Sequence, residues 1–187
     1  MIDKLRSELQ AITQKHPTVH PLLVDELKKR YPHSISIVCD SQGQPLRGLA
    51  SCYEHAFDLT QFEEYEDVRL CDYQEGLDRF IANSVFVRHL MEQGILREHS
   101  VPLEGALALY FDNDKPVHAG LMKSAGRVSS KWGSGHLWEH ELWEVPSSYG
   151  DDVQFFERPD PREVFAAFKS WLPTQPGYSD FEAKYLK

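Results

Sequence analysis

The three cysteines of this chain differ in how reactive their sequence surroundings should make them. Cys52 follows Ser51, a favoured N-cap residue, and Glu54 stands three positions after that serine, as in a capping box. At a helix start, the unpaired N–H groups and the helix dipole stabilise a thiolate and can donate to an oxyanion. Cys52 is therefore the candidate nucleophile. The alternative is a cysteine that only packs at the start of a helix.

The other two cysteines are predicted to be unreactive. Cys39 lies in the alternating run SISIVCD, which predicts a central strand with this side chain on its buried face. Cys71 has Asp72 and Glu75 nearby, and carboxylates disfavour a thiolate. An odd number of cysteines at irregular spacing favours a reducing, cytoplasmic environment over a disulfide framework.

A nucleophilic cysteine needs a histidine base supplied by another element, and His118 is the candidate. It opens the predicted strand PVHAGLM, in which Ala119 and Gly120 leave room for a neighbouring helix or a substrate. The alternative for His118 is a half-exposed residue at the edge of a strand.

His136 and His140 stand four residues apart in GHLWEHE. On a helix this spacing, with a glutamate nearby, would suit a metal-binding pair, and the chain would then be a histidine-based metal hydrolase. The aromatic sequence around them favours a strand instead, and the second histidine of the His-Glu-x-x-His motif is missing. We therefore expect no metal and no cofactor.

The elements that would position these residues follow an α+β order in one domain. Helical spacing predicts a helical N-terminal extension over residues 1–33, an acidic loop over 58–72, and a helix that Gly94 ends. A contiguous antiparallel sheet of about five strands follows, and a helix capped by Asp160 opens the C-terminal segment 160–187. The five strand runs are GALALYF, PVHAGLM, RVSSKWG, HLWEHELWEV and DVQFFE.

Composition restricts the classes of partner. The chain has 187 residues, 41% of them hydrophobic, and a net charge of -9. A surface that binds nucleic acid needs the opposite charge, so no nucleic-acid partner is expected. No window approaches the ~20 apolar residues of a membrane span, and the N-terminus lacks the apolar region of a secretory signal. We expect a cytoplasmic protein without a membrane partner.

Three motifs together resemble the NlpC-type branch of the papain-like cysteine hydrolases. SCYEHAF is similar to the family's helix-opening nucleophile motif, GALALYF to its Gly-Asp-Leu-Val-Phe-Phe strand, and PVHAGLM with RVSSKWG to its His-Val-Gly-Ile hairpin. The resemblance covers residues 47–158 as a catalytic core. Tyr53 and Glu54 depart from the family's small residues after the nucleophile, and the insert between Cys52 and Gly105 is longer than a minimal member needs.

The resemblance implies a papain-like fold, with the helix that carries Cys52 packed on the sheet. It makes Cys52 the nucleophile and His118 the base. The third, orienting position falls on Ser130 by hairpin register, or on a histidine of the next strand. His140 is preferred over His136, because an imidazole can accept from His118 and hold its tautomer. Trp132 and Tyr53 are expected at the substrate rim. The alternative for Trp132 is a core tryptophan beside a turn.

The activity implied is acyl transfer or hydrolysis at the amide bond of a peptide, an isopeptide or another amide-containing substrate. Without a signal peptide, a cytoplasmic amidase fits better than a periplasmic wall enzyme, and so does an effector exported by a signal-independent route. The alternative is a non-enzymatic protein-binding module on the same fold, whose interface would be an aromatic patch of Trp132, Trp138 and Trp143.

Overall fold

A computed structural model describes residues 1–46, 48, 50–133 and 135–186. Within these residues the helices are α1 (Ile2–Thr13), α2 (His20–Leu27), α3 (Cys52–Ala56), α4 (Glu63–Glu75), α5 (Ser84–Glu92), α6 (Pro161–Trp171) and α7 (Tyr178–Tyr185). The strands are β1 (Ser36–Ile37), β2 (Glu98–His99), β3 (Leu107–Asp112), β4 (Lys115–Met122), β5 (Arg127–Lys131), β6 (Leu137–Glu141) and β7 (Asp152–Phe156). Over the described ranges, none of the helices is long and apolar enough to cross a membrane.

The strands form one antiparallel sheet in the order β1-β6-β5-β4-β3-β7-β2. The α+β class predicted from the sequence is confirmed. Within the described residues the sheet has seven strands rather than about five, because a two-residue strand with little sequence pattern lies at each edge. It is also not contiguous in sequence, since β7 returns to pair with β3.

The two faces of β4 belong to different parts of the core. Strand alternation places Ala119 and Leu121 on one face and His118 and Met122 on the other. The first face packs on helices α3 to α7 in the largest apolar cluster. The second face borders two smaller clusters, one of which is built with α1 and α2. Both faces of this central strand are therefore covered.

Two local predictions were wrong, and both depended on weak patterning. The expected acidic loop contains α4, whose first turn carries three glutamates that favour the helix dipole, and Gly76 ends it in a left-handed conformation. Cys39 is exposed beyond β1, which is an edge strand and not a central one. The C-terminal helix begins as predicted, with Asp160 accepting from the Arg162 N–H at 2.8 Å.

Candidate active site

Cys52 is the first residue of α3, and the start of this helix is tied to the core by a buried carboxylate. Ser51 and Glu54 form the predicted capping box, in which each side chain accepts from the other residue's backbone N–H. Glu54 also accepts from the Tyr65 hydroxyl at 2.9 Å, and the oxygen of that hydroxyl accepts from the Ala82 N–H at 2.9 Å. These bonds hold α3 against α4 and the segment before α5.

Cys52 lines an open pocket of about 630 Å³. Tyr53, Val117, Gly133 and Tyr149 form part of its wall. Its lining also includes charged side chains of both signs, namely Glu54, Arg69, Asp72, Asp78 and Lys115. A concave site of this size that presents a thiol among apolar and polar groups has the general form of a small-molecule or peptide site.

The Cys52 sulfur lies against the backbone of β4. The N–H of Ala119 is directed at it, as is the N–H of Tyr53 in its own helix, and both favour the thiolate. Burial outweighs them and raises the pKa of the Cys52 thiol to about 12, with Glu54 adding to the rise. The prediction that the helix start would lower this pKa is wrong for this conformation, because desolvation exceeds the effect of a five-residue helix.

His118 precedes Ala119, so the Cys52 sulfur lies one peptide unit from the His118 backbone. The imidazole is 1% exposed, not at an open strand edge, and burial lowers its pKa well below the usual value. Its ring stacks on Tyr149 with centroids 3.8 Å apart and planes 15° apart. Its Nε2 is buried and has no hydrogen-bond partner among the described residues, so this nitrogen makes no hydrogen bond to the thiol in this conformation.

The two main alternatives for the third position, Ser130 and His140, are hydrogen-bonded to each other. Ser130 Oγ lies 2.8 Å from His140 Nε2, and His140 Nδ1 lies 2.7 Å from the Glu141 carbonyl oxygen. A carbonyl only accepts, so Nδ1 carries the proton. Because burial lowers the pKa of His140 to about 4, its ring is neutral and Nε2 accepts from the serine hydroxyl. His140 lies near enough to His118 to lower that residue's pKa further.

His140 is fully buried. It lies on β6, two strands away from β4, and its hydrogen bonds go to Ser130 and to its own strand. The pair therefore forms a buried polar support beside His118 without a bond to the unpartnered Nε2 of that residue.

The remaining predicted site residues divide between the core and the pocket. Trp132 is 1% exposed and stacks on Trp138 with centroids 5.0 Å apart, so it lies in the core and not at the rim. Tyr53 lines the pocket, but its hydroxyl is buried and has no hydrogen-bond partner in the part of the chain that the structure describes. His136 is buried beside Trp138, with ring centroids 6.1 Å apart.

These positions also bear on the two alternative functions. Two of the three tryptophans of the expected aromatic interface are core residues, so that patch is not on the surface. Across the described ranges, no group of three or more His, Cys, Asp or Glu side chains is arranged to hold a metal ion.

Sequence reasoning missed Tyr149, the side chain that joins the two halves of the site. It lines the pocket with Cys52 and stacks on His118, yet it lies in SSYGDD, which the sequence indicates only as a turn. The sequence signal for a positive-φ backbone conformation here is Gly150, which has a φ of 86°. A Cβ there would lie 2.0 Å from the Phe111 carbonyl oxygen, so only glycine fits.

A family model described as a domain of unknown function (DUF7689) matches residues 60–157, just over half of the chain. The matched segment holds His118, Ser130, His140 and Tyr149, and it begins after Cys52. No curated protein and no solved structure matches the chain significantly.

Proposed function

The chain belongs to the DUF7689 family, and we propose that this member is a papain-like, NlpC-type thiol hydrolase or acyltransferase that acts on an amide bond. Cys52 is the nucleophile and His118 is the base. The observation that carries the proposal is the position of the thiol: a capped helix start places it in an open pocket, against the strand backbone next to a buried neutral histidine.

The chemistry follows from two neutral groups. The Cys52 sulfur attacks the carbonyl carbon while the imidazole accepts the thiol proton, and the carbonyl electron pair moves onto oxygen. Backbone N–H groups at the start of α3 stabilise that oxyanion. The imidazolium then gives its proton to the leaving nitrogen as the C–N bond breaks. Water or an amine releases the acyl group from the thioester.

The high pKa of the thiol and the low pKa of the imidazole decide how this proton moves. A preformed thiolate–imidazolium pair is disfavoured, so proton transfer must accompany the attack on carbon. Because the His118 side chain lies on the face of β4 opposite α3, direct transfer requires the Cys52 sulfur to move around the strand toward the imidazole when substrate binds. Catalytic contacts often tighten in this way in the complex. The unpartnered Nε2 leaves one ring nitrogen available for that contact.

A peptide or isopeptide substrate fits the walls of the pocket. Its lining combines Tyr53, Val117 and Tyr149 with charged side chains of both signs, of which Asp78 and Lys115 are exposed. Such a surface matches an amide backbone that carries mixed side chains better than it matches a purely apolar or a purely anionic ligand.

Acylation by an activated ester tests the proposal without knowledge of the natural substrate. The protein is mixed with p-nitrophenyl acetate, and the acetyl adduct is located by peptide mass spectrometry and released with hydroxylamine. We expect a thioester on Cys52, its absence in Cys52→Ser, and a large loss of its rate of formation in His118→Ala.

The exposed thiol of Cys39 supplies the control for this experiment. Cys39→Ser should acylate like the unmodified protein, because Cys39 lies outside the pocket. An adduct found mainly on Cys39, or one that forms on Cys52 equally fast without His118, contradicts the proposal and favours the non-enzymatic binding module.

A further inference from the structure

The loop between β6 and β7 carries Tyr149 at the end of a 3-10 turn, Ser147–Tyr149. The Tyr149 ring covers His118, and its hydroxyl oxygen faces the backbone N–H of Gly133 across the pocket wall. The same residue is close enough to the Cys52 sulfur to interact with it electrostatically. Tyr149 therefore contacts the proposed base and borders the proposed nucleophile.

Helix α1 holds this loop from the other side. Arg6 is 7% exposed, and its guanidinium donates to the Gly150 carbonyl and, at 2.9 Å, to Asp151 Oδ1. Gln10 Oε1 accepts from the Ser148 N–H at 3.2 Å. Two side chains one helical turn apart thus hold the residues on both sides of Tyr149, and they come from the segment outside the expected catalytic core.

We propose that Tyr149 is a positioning residue for His118 and that α1 belongs to the active site, because Arg6 fixes the Tyr149 loop. This inference rests on the proposed role of His118 as base. A stacked aromatic ring restricts rotation of the imidazole and keeps water from it, whereas the Ser130–His140 pair makes no bond to its Nε2.

The groups that face His118 define what its titration will report. Tyr110 on β3 lies with its ring centroid 5.3 Å away, Tyr149 stacks at 3.8 Å, and His140 on β6 acts through space. The thiol of Cys52 lies on the far side of the adjoining peptide. None of these is a carboxylate, so removal of the covering ring changes mainly the solvation of the imidazole.

The test compares four variants of the full chain. Tyr149→Phe keeps the stacked ring, and Tyr149→Leu removes it. Arg6→Met removes the hydrogen bonds that tie α1 to the Gly150 carbonyl and to Asp151. Arg30→Met is the matched control, because Arg30 is an exposed arginine that binds α1 through Glu8, away from the loop.

The first readout is the titration of His118 by NMR, with its resonance assigned from His118→Gln. Tyr149→Leu should raise the His118 pKa by about one unit or more toward 6.5, because water reaches the ring. Arg6→Met should also raise the His118 pKa, but by less than Tyr149→Leu does. Tyr149→Phe and Arg30→Met should leave it in place.

The second readout is ester turnover. Tyr149→Leu should lower kcat about tenfold or more and leave KM within about twofold, since orientation of the base affects the transition state more than substrate binding. Tyr149→Phe keeps the stacked ring and should lose less of kcat than Tyr149→Leu. Arg30→Met should retain kcat within about twofold.

The two readouts separate the two proposals. An unchanged His118 pKa in both Tyr149→Leu and Arg6→Met overturns the positioning role, and so does a loss of kcat in Tyr149→Phe equal to that in Tyr149→Leu. A shifted His118 pKa in a protein that never acylates Cys52 supports the contact and overturns only the hydrolase. If Tyr149→Leu does not fold, Arg6→Met alone decides, because its substitution lies outside the pocket.

Discussion

Replacement of Tyr65 by phenylalanine should destabilise the protein strongly, because one hydroxyl serves two buried partners. It donates to the Glu54 carboxylate at 2.9 Å and accepts from the Ala82 N–H at 2.9 Å. The ring itself is 0% exposed and packs on Phe168, with centroids 4.7 Å apart, and phenylalanine keeps that packing. The substitution therefore isolates the two hydrogen bonds.

The size of the loss follows from the two bonds. A hydrogen bond to a charged group contributes about 1.5–3 kcal/mol, and a buried N–H left without an acceptor costs about 1–3 kcal/mol. We expect the free energy of unfolding to fall by about 3–5 kcal/mol. In urea this shifts the unfolding midpoint down by about 2 M, for the m-values usual in domains of this size.

Urea unfolding followed by tryptophan fluorescence measures the change, and Tyr53→Phe is the control. The Tyr53 hydroxyl is also buried but has no hydrogen-bond partner within the described ranges, so its removal should be neutral or slightly stabilising. Equal midpoints for Tyr65→Phe and Tyr53→Phe would refute the reasoning that Tyr65 anchors the start of α3. A second readout is iodoacetamide labelling of Cys52, which should become faster in Tyr65→Phe as the helix start loosens.

Three further predictions concern the thiol and the buried histidines. Because burial raises the pKa of Cys52 to about 12, the rate of its labelling by iodoacetamide should rise about tenfold per pH unit from about pH 7 to 10. Mass spectrometry measures this rate with Cys39 as the reference, and a plateau in this range contradicts the prediction. The folded-state pKa of His140 is lowered to about 4, so the unfolded chain binds more protons than the folded chain between about pH 6.5 and pH 4. The free energy of unfolding should therefore fall by up to about 1.4 kcal/mol per pH unit as the pH drops from 6.5 to 4. Urea midpoints across this window should show a smaller slope in His140→Gln, and an identical slope would exclude this histidine as the cause. Cys52→Ala and His118→Ala should each abolish acylation, with the double variant no worse than either, and a residual rate that falls additively would show that they do not act together.

The elements with strong local signals could be predicted from the sequence. The capping box that starts α3 and the capped helix α6 depend on residues close to one another in the chain, and both are present. Strands β3 to β6 form the predicted meander, because alternation and turn residues specify them locally. Helix α4 has few apolar residues in its stripe, and its stability comes from buried Tyr65 and Val68, which only the tertiary structure reveals.

The residues of the candidate site were chosen one by one from the sequence, and their arrangement was not predicted. Cys52 and His118 were chosen by residue type and by position at the start of an element. The structure places His118 on β4 and the Cys52 sulfur against the backbone of that strand. Their pKa values depend on burial, which the sequence does not encode locally, and for Cys52 the direction came out opposite to expectation. Tyr149 was missed, because its position depends on Arg6, which is 143 positions earlier in the chain.

The hydrogen bonds from Arg6 on α1 to the Tyr149 loop have a consequence for protein synthesis. A ribosome releases Arg6 and Cys52 well before the loop at Gly150 and Asp151. Because domains fold as units during translation, His118 is covered only after β7 follows that loop and pairs with β3. A nascent or truncated chain that ends before this point carries the thiol without the Tyr149 ring on His118. If Cys52 and His118 form a hydrolase, its activity therefore begins only after the Tyr149 loop and β7 have been made.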